Sequence, residues 1–167
     1  STLPQRAEVV VIGAGIVGNS LVYHLAKLGW QNISGGTLVE PNDVDVRERH
    51  LDMLLAHITL SDKAFMGSVT HVDNARDTLT MARILYGSEA IEENPAVISL
   101  INASSPLRFD DRMFGALEVY ARARQAVIVT PFIIAGAMSP AALAATLAQQ
   151  NAEALFGICY AQMLNSG

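Results

Sequence analysis

Residues Gln125–Leu155 read QAVIVTPFIIAGAMSPAALAATLAQQNAEAL. The first part, Ala126 to Ile133, is β-branched and apolar on both faces, which is the pattern of a strand inside a parallel sheet. The second part opens at Ser139-Pro140, a capping hydroxyl followed by a proline suited to the first helical position, and predicts a helix from Pro140 to Leu164. No charge occurs between Ala126 and Ala148, and that length could cross a bilayer. Pro131 and the Ser139-Pro140 pair divide it, however, and no Lys or Arg follows Arg124 to anchor an orientation. The stretch is therefore read as a buried strand and a buried helix, with no membrane partner.

Working outward, the same unit recurs upstream. Strands are predicted at Phe65 to Val69 and Val97 to Ile101, and helices at Asp73 to Tyr86 and Asp110 to Arg124, with Asp73 and Asp110-Asp111 as helix-start signals. Strand and helix in alternation imply parallel strands joined by helical crossovers, hence an α/β fold. Arg49 to Leu60 is amphipathic, with Leu51, Leu54, Leu55 and Ile58 at helical spacing. The acidic run Glu89, Glu92 and Glu93 reads as a solvated loop.

At the other end of the chain, Glu8 to Ile12 reads EVVVI and runs into GAGIVG, with Gly13, Gly15 and Gly18 in a G-x-G-x-x-G. A helix follows from Ile16 to Leu28, Gly29 ends it, and a short strand is expected at Thr37 to Glu40. In this Rossmann-like context the first glycine allows the tight turn, the second lets the backbone approach a pyrophosphate, and the third packs helix on strand. The helix N-terminus offers amides to phosphate, and Glu40 would accept from a ribose. These four residues are the candidate set for binding an adenine dinucleotide without a 2′-phosphate. The polar connector Pro41 to Val46 marks the boundary between residues 1–45 and 46–167.

Composition bounds the function. The chain has 167 residues, 51% of them apolar and 16% charged, as in a folded domain. Its charge of −5 disfavours nucleic acid, which calls for a basic face. The single cysteine, Cys159, rules out a disulfide framework, fits a reducing compartment and is expected to be an inert core thiol. Ser1 to Glu8 lacks a signal-peptide pattern, so a cytoplasmic location is expected. His24, His50, His57 and His71 form no ligand pair, so no metal site is expected. His50 and His57 lie two helical turns apart, on what reads as a partly exposed helix surface.

Two family resemblances attach to these motifs. AEVVVIGAGIVGNSLVYHLAKLGW resembles the N-terminus of FAD-dependent dimethylglycine and sarcosine dehydrogenases, over about the first forty residues. From about Val46 onward, RERHLDMLLAHITLSDKAFMGSV, ENPAVISLINASSPL and the opening quotation resemble the trimethylamine:corrinoid methyltransferase family, which includes members acting on glycine betaine. That resemblance implies a (β/α)₈ barrel, a small methylated amine as substrate, and a corrinoid held by a partner protein as methyl acceptor. A full barrel typically needs about 250 residues, so these roughly 120 supply a partial barrel, expected to have reduced or no activity. No catalytic residue of the family is carried over.

Ligands of α/β folds meet the loops at the carboxyl ends of the strands. This places Asn102, Ser104, Ser105, Thr130 and Phe132 as candidate substrate contacts, Phe132 by cation–π attraction to a methylated ammonium. An apolar helix at Pro140 to Leu164 should be covered on most sides, which predicts a homo-oligomer. An FAD-binding amine oxidoreductase module and a non-catalytic oligomeric α/β protein are the alternatives.

Overall fold

Strand VISLINA, Val97–Ala103, alternates buried and half-buried residues along its whole length, because every second side chain points to the same face of the sheet. The computed structural model describes residues 9–11, 16–30, 33–35, 41–60 and 64–166. Along the chain these form β1 (Val9–Val11), α1 (Ile16–Lys27), β2 (Ile33–Gly35), α2 (Arg49–Leu60), β3 (Phe65–Met66) and α3 (Val72–Tyr86). They continue with α4 (Ser88–Glu93), β4 (Val97–Ala103), α5 (Asp111–Arg122), β5 (Ala126–Pro131) and α6 (Leu143–Leu164).

All the paired strands are parallel. β1 pairs with β2, with Val9 opposite Ile33. β3, β4 and β5 form a second sheet in chain order, with Phe65 opposite Val97 and Ile98 opposite Ala126. The second short strand thus lies at Ile33–Gly35, earlier than the predicted Thr37 to Glu40, which falls outside the described residues. β3 stops at Met66 rather than Val69, β4 runs two residues past Ile101, and β5 stops at Pro131 rather than Ile133. Asn102 and Ala103 extend β4 because they pair with Thr130 and Pro131.

One face of the three-stranded sheet carries the core. Val97 and Ile101 of β4 pack with Ala75, Leu79 and Ala82 of α3 and with Ala116, Leu117 and Tyr120 of α5. Gly157 of α6 lies so close to Val129 of β5 that a Cβ there would come within 2.9 Å of Val129 Cγ1, so glycine is what lets this helix approach the strand. Gln125, at the entrance to β5, is buried and saturated: its Oε1 accepts from the amides of Ala96 and Val97, and its Nε2 donates to the carbonyls of Ile91 and Ala123.

Helix ends follow local chemistry. α1 ends as expected, with Gly29 at φ +84°, its N–H bonded to Ala26 and that of Trp30 to Leu25. Asp110 caps α5 by accepting from the amides of Arg112 and Met113. The predicted Asp73 cap is corrected: Asp73 sits in the first turn of α3, and His71 is the cap, its Nδ1 accepting from the Asp73 amide. α6 starts at Leu143 rather than Pro140, and the first turn of the helix holds the preceding turn, where Thr146 Oγ1 donates to the Pro140 carbonyl at 2.7 Å. Glu89, Glu92 and Glu93 lie on α4, so the solvated loop is an exposed helix.

The second correction to α6 concerns burial. Only Thr146, Glu153 and Gly157 of this helix are buried, while Leu143, Leu147, Leu155, Phe156, Ile158 and Met163 are exposed. One side packs on β5 and α5, and among the described residues nothing covers the other. Cys159 is exposed, not a core thiol. Among the described residues, no helix is long and apolar enough to cross a membrane.

Candidate functional site

The loop from Gly67 to His71, between β3 and α3, is fixed by its own backbone. The Gly67 amide continues the ladder to the Ile98 carbonyl at 2.9 Å, the Ser68 amide donates to Thr78 Oγ1 at 3.2 Å, and the Tyr120 hydroxyl donates to the Ser68 carbonyl at 2.7 Å. Burial raises the Tyr120 phenol well above its ordinary range, opposed weakly by Thr78, so the hydroxyl stays a donor. Thr70 Oγ1 accepts from the Asn74 amide group at 2.9 Å and lies 3.2 Å from Ser68 Oγ. These bonds hold Ser68 and Thr70 at the carboxyl end of β3.

Beside them a cavity of about 280 Å³ opens between α2, the ends of β3 and β4, and the first turn of α3. Its polar wall is Arg49, His50, His57, Ser68, Thr70, Asn74 and Asn102. Its apolar wall includes Met53, Leu54, Met66, Leu100 and Met113. Among these described lining residues none is acidic. The Asn102 amide donates to Met113 Sδ at 3.3 Å, and Thr130 Oγ1 donates to Asn102 Oδ1 at 2.5 Å, so the side-chain amide is oriented from β5.

The face of α2 turned inward is not the leucine stripe expected from spacing. Leu54 is buried, but Leu51 and Leu55 are exposed, and His50 takes an inward place at 8% exposure. Its Nε2 meets Asp77 Oδ2 of α3 at 2.9 Å, while its buried Nδ1 has no hydrogen-bond partner among the described residues. His57, one of the cavity residues, is half-buried, and desolvation lowers its pKa, which favours the neutral ring. The expectation of a partly exposed histidine surface therefore fails for His50, which packs against α3.

Of the predicted substrate contacts, the structure brings Asn102 and Thr130 together at this end of the sheet, with Asn102 in the cavity wall. Ser105 is buried on another side, where its hydroxyl donates to Glu153 Oε2. Ser104 is exposed and its amide closes a turn to the Arg108 carbonyl, while Phe132 is 64% exposed beyond the end of β5. Gly13, Gly15 and Glu40 lie outside the described residues, and Gly18 lies within α1. Sequence reasoning placed Ser68 in a strand-end loop but missed His50 and Asp77. The available signal was a histidine two turns from another on a helix entering a strand.

A second cavity, of about 450 Å³, lies between the start of α5 and the middle of α6, lined by Leu107, Phe109, Asp111, Phe114, Ala152, Glu153 and Phe156. Its rings belong to a cluster in which Phe114 stacks on Tyr160 with centroids 4.4 Å apart and Phe109 leans on Phe156 at 5.6 Å. Its aromatic wall is made of rings already packed on one another, and both oxygens of Glu153 are already engaged by Ser105, Leu107 and Gln149. The cavity beside β3 and β4 is accordingly the candidate site.

A 31-residue segment is 58% identical to the mitochondrial pyruvate dehydrogenase phosphatase regulatory subunit of Mus musculus, covering 19% of this chain and 4% of that protein. A stretch of 137 residues is 49% identical to glycine betaine methyltransferase of Desulfitobacterium hafniense strain Y51. That match covers 81% of this chain but only 29% of the relative, so the chain spans less than a third of the length of that enzyme. Residues 20–167, which include the whole of the candidate site, match the family model described as trimethylamine methyltransferase (MTTB), and the chain belongs to that family.

Proposed function

We propose that the cavity between α2, β3 and β4 holds a small methylated amine, and that these residues form one part of a site for methyl transfer from such an amine to a corrinoid carried by a separate protein. The observation that carries the reading is the place of the cavity: it lies at the carboxyl ends of parallel strands, within the region matched by the methyltransferase family. Met53, Met66, Leu100 and Met113 offer an apolar, polarisable wall to methyl groups, and Ser68, Thr70 and Asn102 offer hydrogen bonds around it. The corrinoid, when its protein docks, supplies the methyl acceptor. The residues here bind and orient the amine.

The sheet order β3-β4-β5, with α3, α5 and α6 against one face, supports reading the fold as an arc of a (β/α)₈ barrel. Three strand ends do not enclose a reacting amine and keep water from it, so the 167-residue chain is expected to bind without efficient transfer. The sheet edges unpaired among the described residues and the exposed side of α6 are the grounds for proposing self-association. The lone cysteine is the ground for proposing a cytoplasmic location.

The experiment is calorimetric titration of the chain with trimethylamine and with glycine betaine, beside a methyl-transfer assay with added corrinoid protein. Saturable heat with at least one amine, without turnover, is the expected result. No heat with either amine contradicts the reading.

A second reading concerns the N-terminal segment. Parallel pairing of β1 with β2 on either side of α1 is the strand-helix-strand order of dinucleotide sites, and it supports FAD held by Gly13, Gly15, Gly18 and Glu40. Flavin absorbance in the purified protein, lost in Gly15→Ala, is the expected result. Failure of added FAD to bind the unmodified chain removes this reading.

A further inference from the structure

We infer that the Asn102 side-chain amide holds the ligand nitrogen once that nitrogen carries a lone pair, so that the cavity grips a demethylated, uncharged amine more tightly than the quaternary ammonium ion from which it forms. The inference rests on the methylated-amine reading of this cavity and adds what meets the nitrogen after a methyl group has gone. Asn102 lies near the carboxyl end of β4, half-buried, and lines the cavity. Its place opposite Thr130 of β5 lets the Thr130 hydroxyl donate to Oδ1 at 2.5 Å, and its backbone amide donates to Met113 Sδ at 3.3 Å. The backbone and the oxygen end of the side chain are thereby fixed. What remains is Nδ2, which has no hydrogen-bond partner among the described residues and is not sealed off by burial.

An amide nitrogen donates and does not accept. The hydroxyls of Ser68 and Thr70, 3.2 Å apart in the same wall, do both, so they do not tell an amine with a lone pair from one without. A quaternary nitrogen has four carbon substituents and no lone pair. It offers Nδ2 nothing to bond and sets a positive charge beside the positive end of the amide dipole. Among the described lining residues no carboxylate holds that charge instead. Loss of one methyl group breaks a C–N bond whose electron pair stays on nitrogen, while the corrinoid, as nucleophile, supplies the pair for its new bond to carbon, and no proton moves. The lone pair appears where the methyl group was, so Nδ2 reaches it only after that group has left. The bond therefore belongs to the product. It engages the electron pair that would take the methyl group back, and it slows release of the amine.

The test is calorimetric titration of the full chain at pH 9 with N-methylmorpholine, a tertiary amine of low basicity that is uncharged there, and with N,N-dimethylmorpholinium, the same ring with one more methyl group and no lone pair. The uncharged amine is expected to bind about 2- to 10-fold tighter, the worth of one neutral hydrogen bond. Asn102→Asp keeps an acceptor for Thr130 and replaces the donor by a charged oxygen, and it is expected to reverse the order of the two probes. Thr130→Val, which frees the side-chain amide to turn, is expected to bring the two affinities together, and it carries the test should Asn102→Asp fail to fold. Equal binding of the probes by the unmodified chain, tighter binding of the quaternary ion, or a preference that survives in the folded variants overturns the inference and leaves the methylated-amine reading standing. Binding of neither probe also overturns the inference, and the titration with trimethylamine and glycine betaine then decides separately whether the broader reading survives.

Discussion

Ser105 donates its hydroxyl to Glu153 Oε2 at 2.5 Å, joining the loop after β4 to the middle of α6 across 48 residues of sequence. The other oxygen, Oε1, accepts from the Leu107 amide at 2.8 Å and from Gln149 Nε2 at 2.9 Å. Leu107 has φ +52°, a left-handed conformation that costs a non-glycine residue about 1 kcal/mol, and the Glu153 carboxylate is what fixes it there. The only charge in α6 thus holds the loop that leaves β4.

Burial raises the Glu153 pKa, but the bonds from Leu107, Ser105 and Gln149 outweigh it and hold the carboxyl below its ordinary value of 4.5. A folded-state pKa below the unfolded one contributes stability that is present above the unfolded value and lost as pH falls through the folded one. Glu153→Gln is expected to lower stability by about 1–3 kcal/mol at pH 7, since the new amide turns a donor toward a donor. Urea unfolding at pH 7 and again below pH 4 checks this. The gap between the two proteins should narrow in acid, and a gap independent of pH would contradict the assignment.

Gln125 makes four hydrogen bonds with one side chain, closing α4 and the turn after α5 onto the start of β4. Gln125→Leu is expected to cost about 2–4 kcal/mol, because it strands the buried amides of Ala96 and Val97 without an acceptor. Gln125→Glu should be destabilising as well, since it sets an anion against the carbonyls of Ile91 and Ala123. Thermal unfolding of the three proteins measures both effects. A change below about 0.5 kcal/mol in either variant would show that water replaces the side chain.

The strands could be read because their patterns are local. Val97 to Ile101 is a mostly apolar run, Ala126 to Ile133 is β-branched, and the helices between them leave parallel pairing as the arrangement. What could not be read depends on distant partners. His50 meets Asp77, and Gln125 meets Ala96, only because helices and strands far apart in sequence pack together. Asn102 and Thr130 were legible as strand ends. Ser105 was legible as a loop hydroxyl, but its partner was not, since Glu153 in an otherwise apolar helix gives no sign of which side faces the protein. The same uniformity in α6 put Cys159 in the core on paper and on the surface in the fold.

Leu147 and Ile158 are 54% and 47% exposed on α6 and share one side of it, eleven residues apart. Together with Leu143, 70% exposed, they form an apolar stripe that water should not face in a stable monomer. Light scattering after size-exclusion chromatography is expected to give at least a dimer. The double variant Leu147→Glu with Ile158→Glu is expected to shift it to the monomer. A monodisperse monomer of the unmodified chain would contradict self-association.

The most direct test of the account is where a methylated amine binds. Backbone amide resonances of the full chain, followed during titration with glycine betaine, should move at Ser68, Val69 and Thr70, at Asn102 and along the His50 turn of α2, because these line the cavity at the ends of β3 and β4. Amides near Phe114 and Phe156, at the second cavity, should stay in place. Shifts confined to that second cavity, or no saturable shift anywhere, would contradict the assignment of the strand-end cavity as the site.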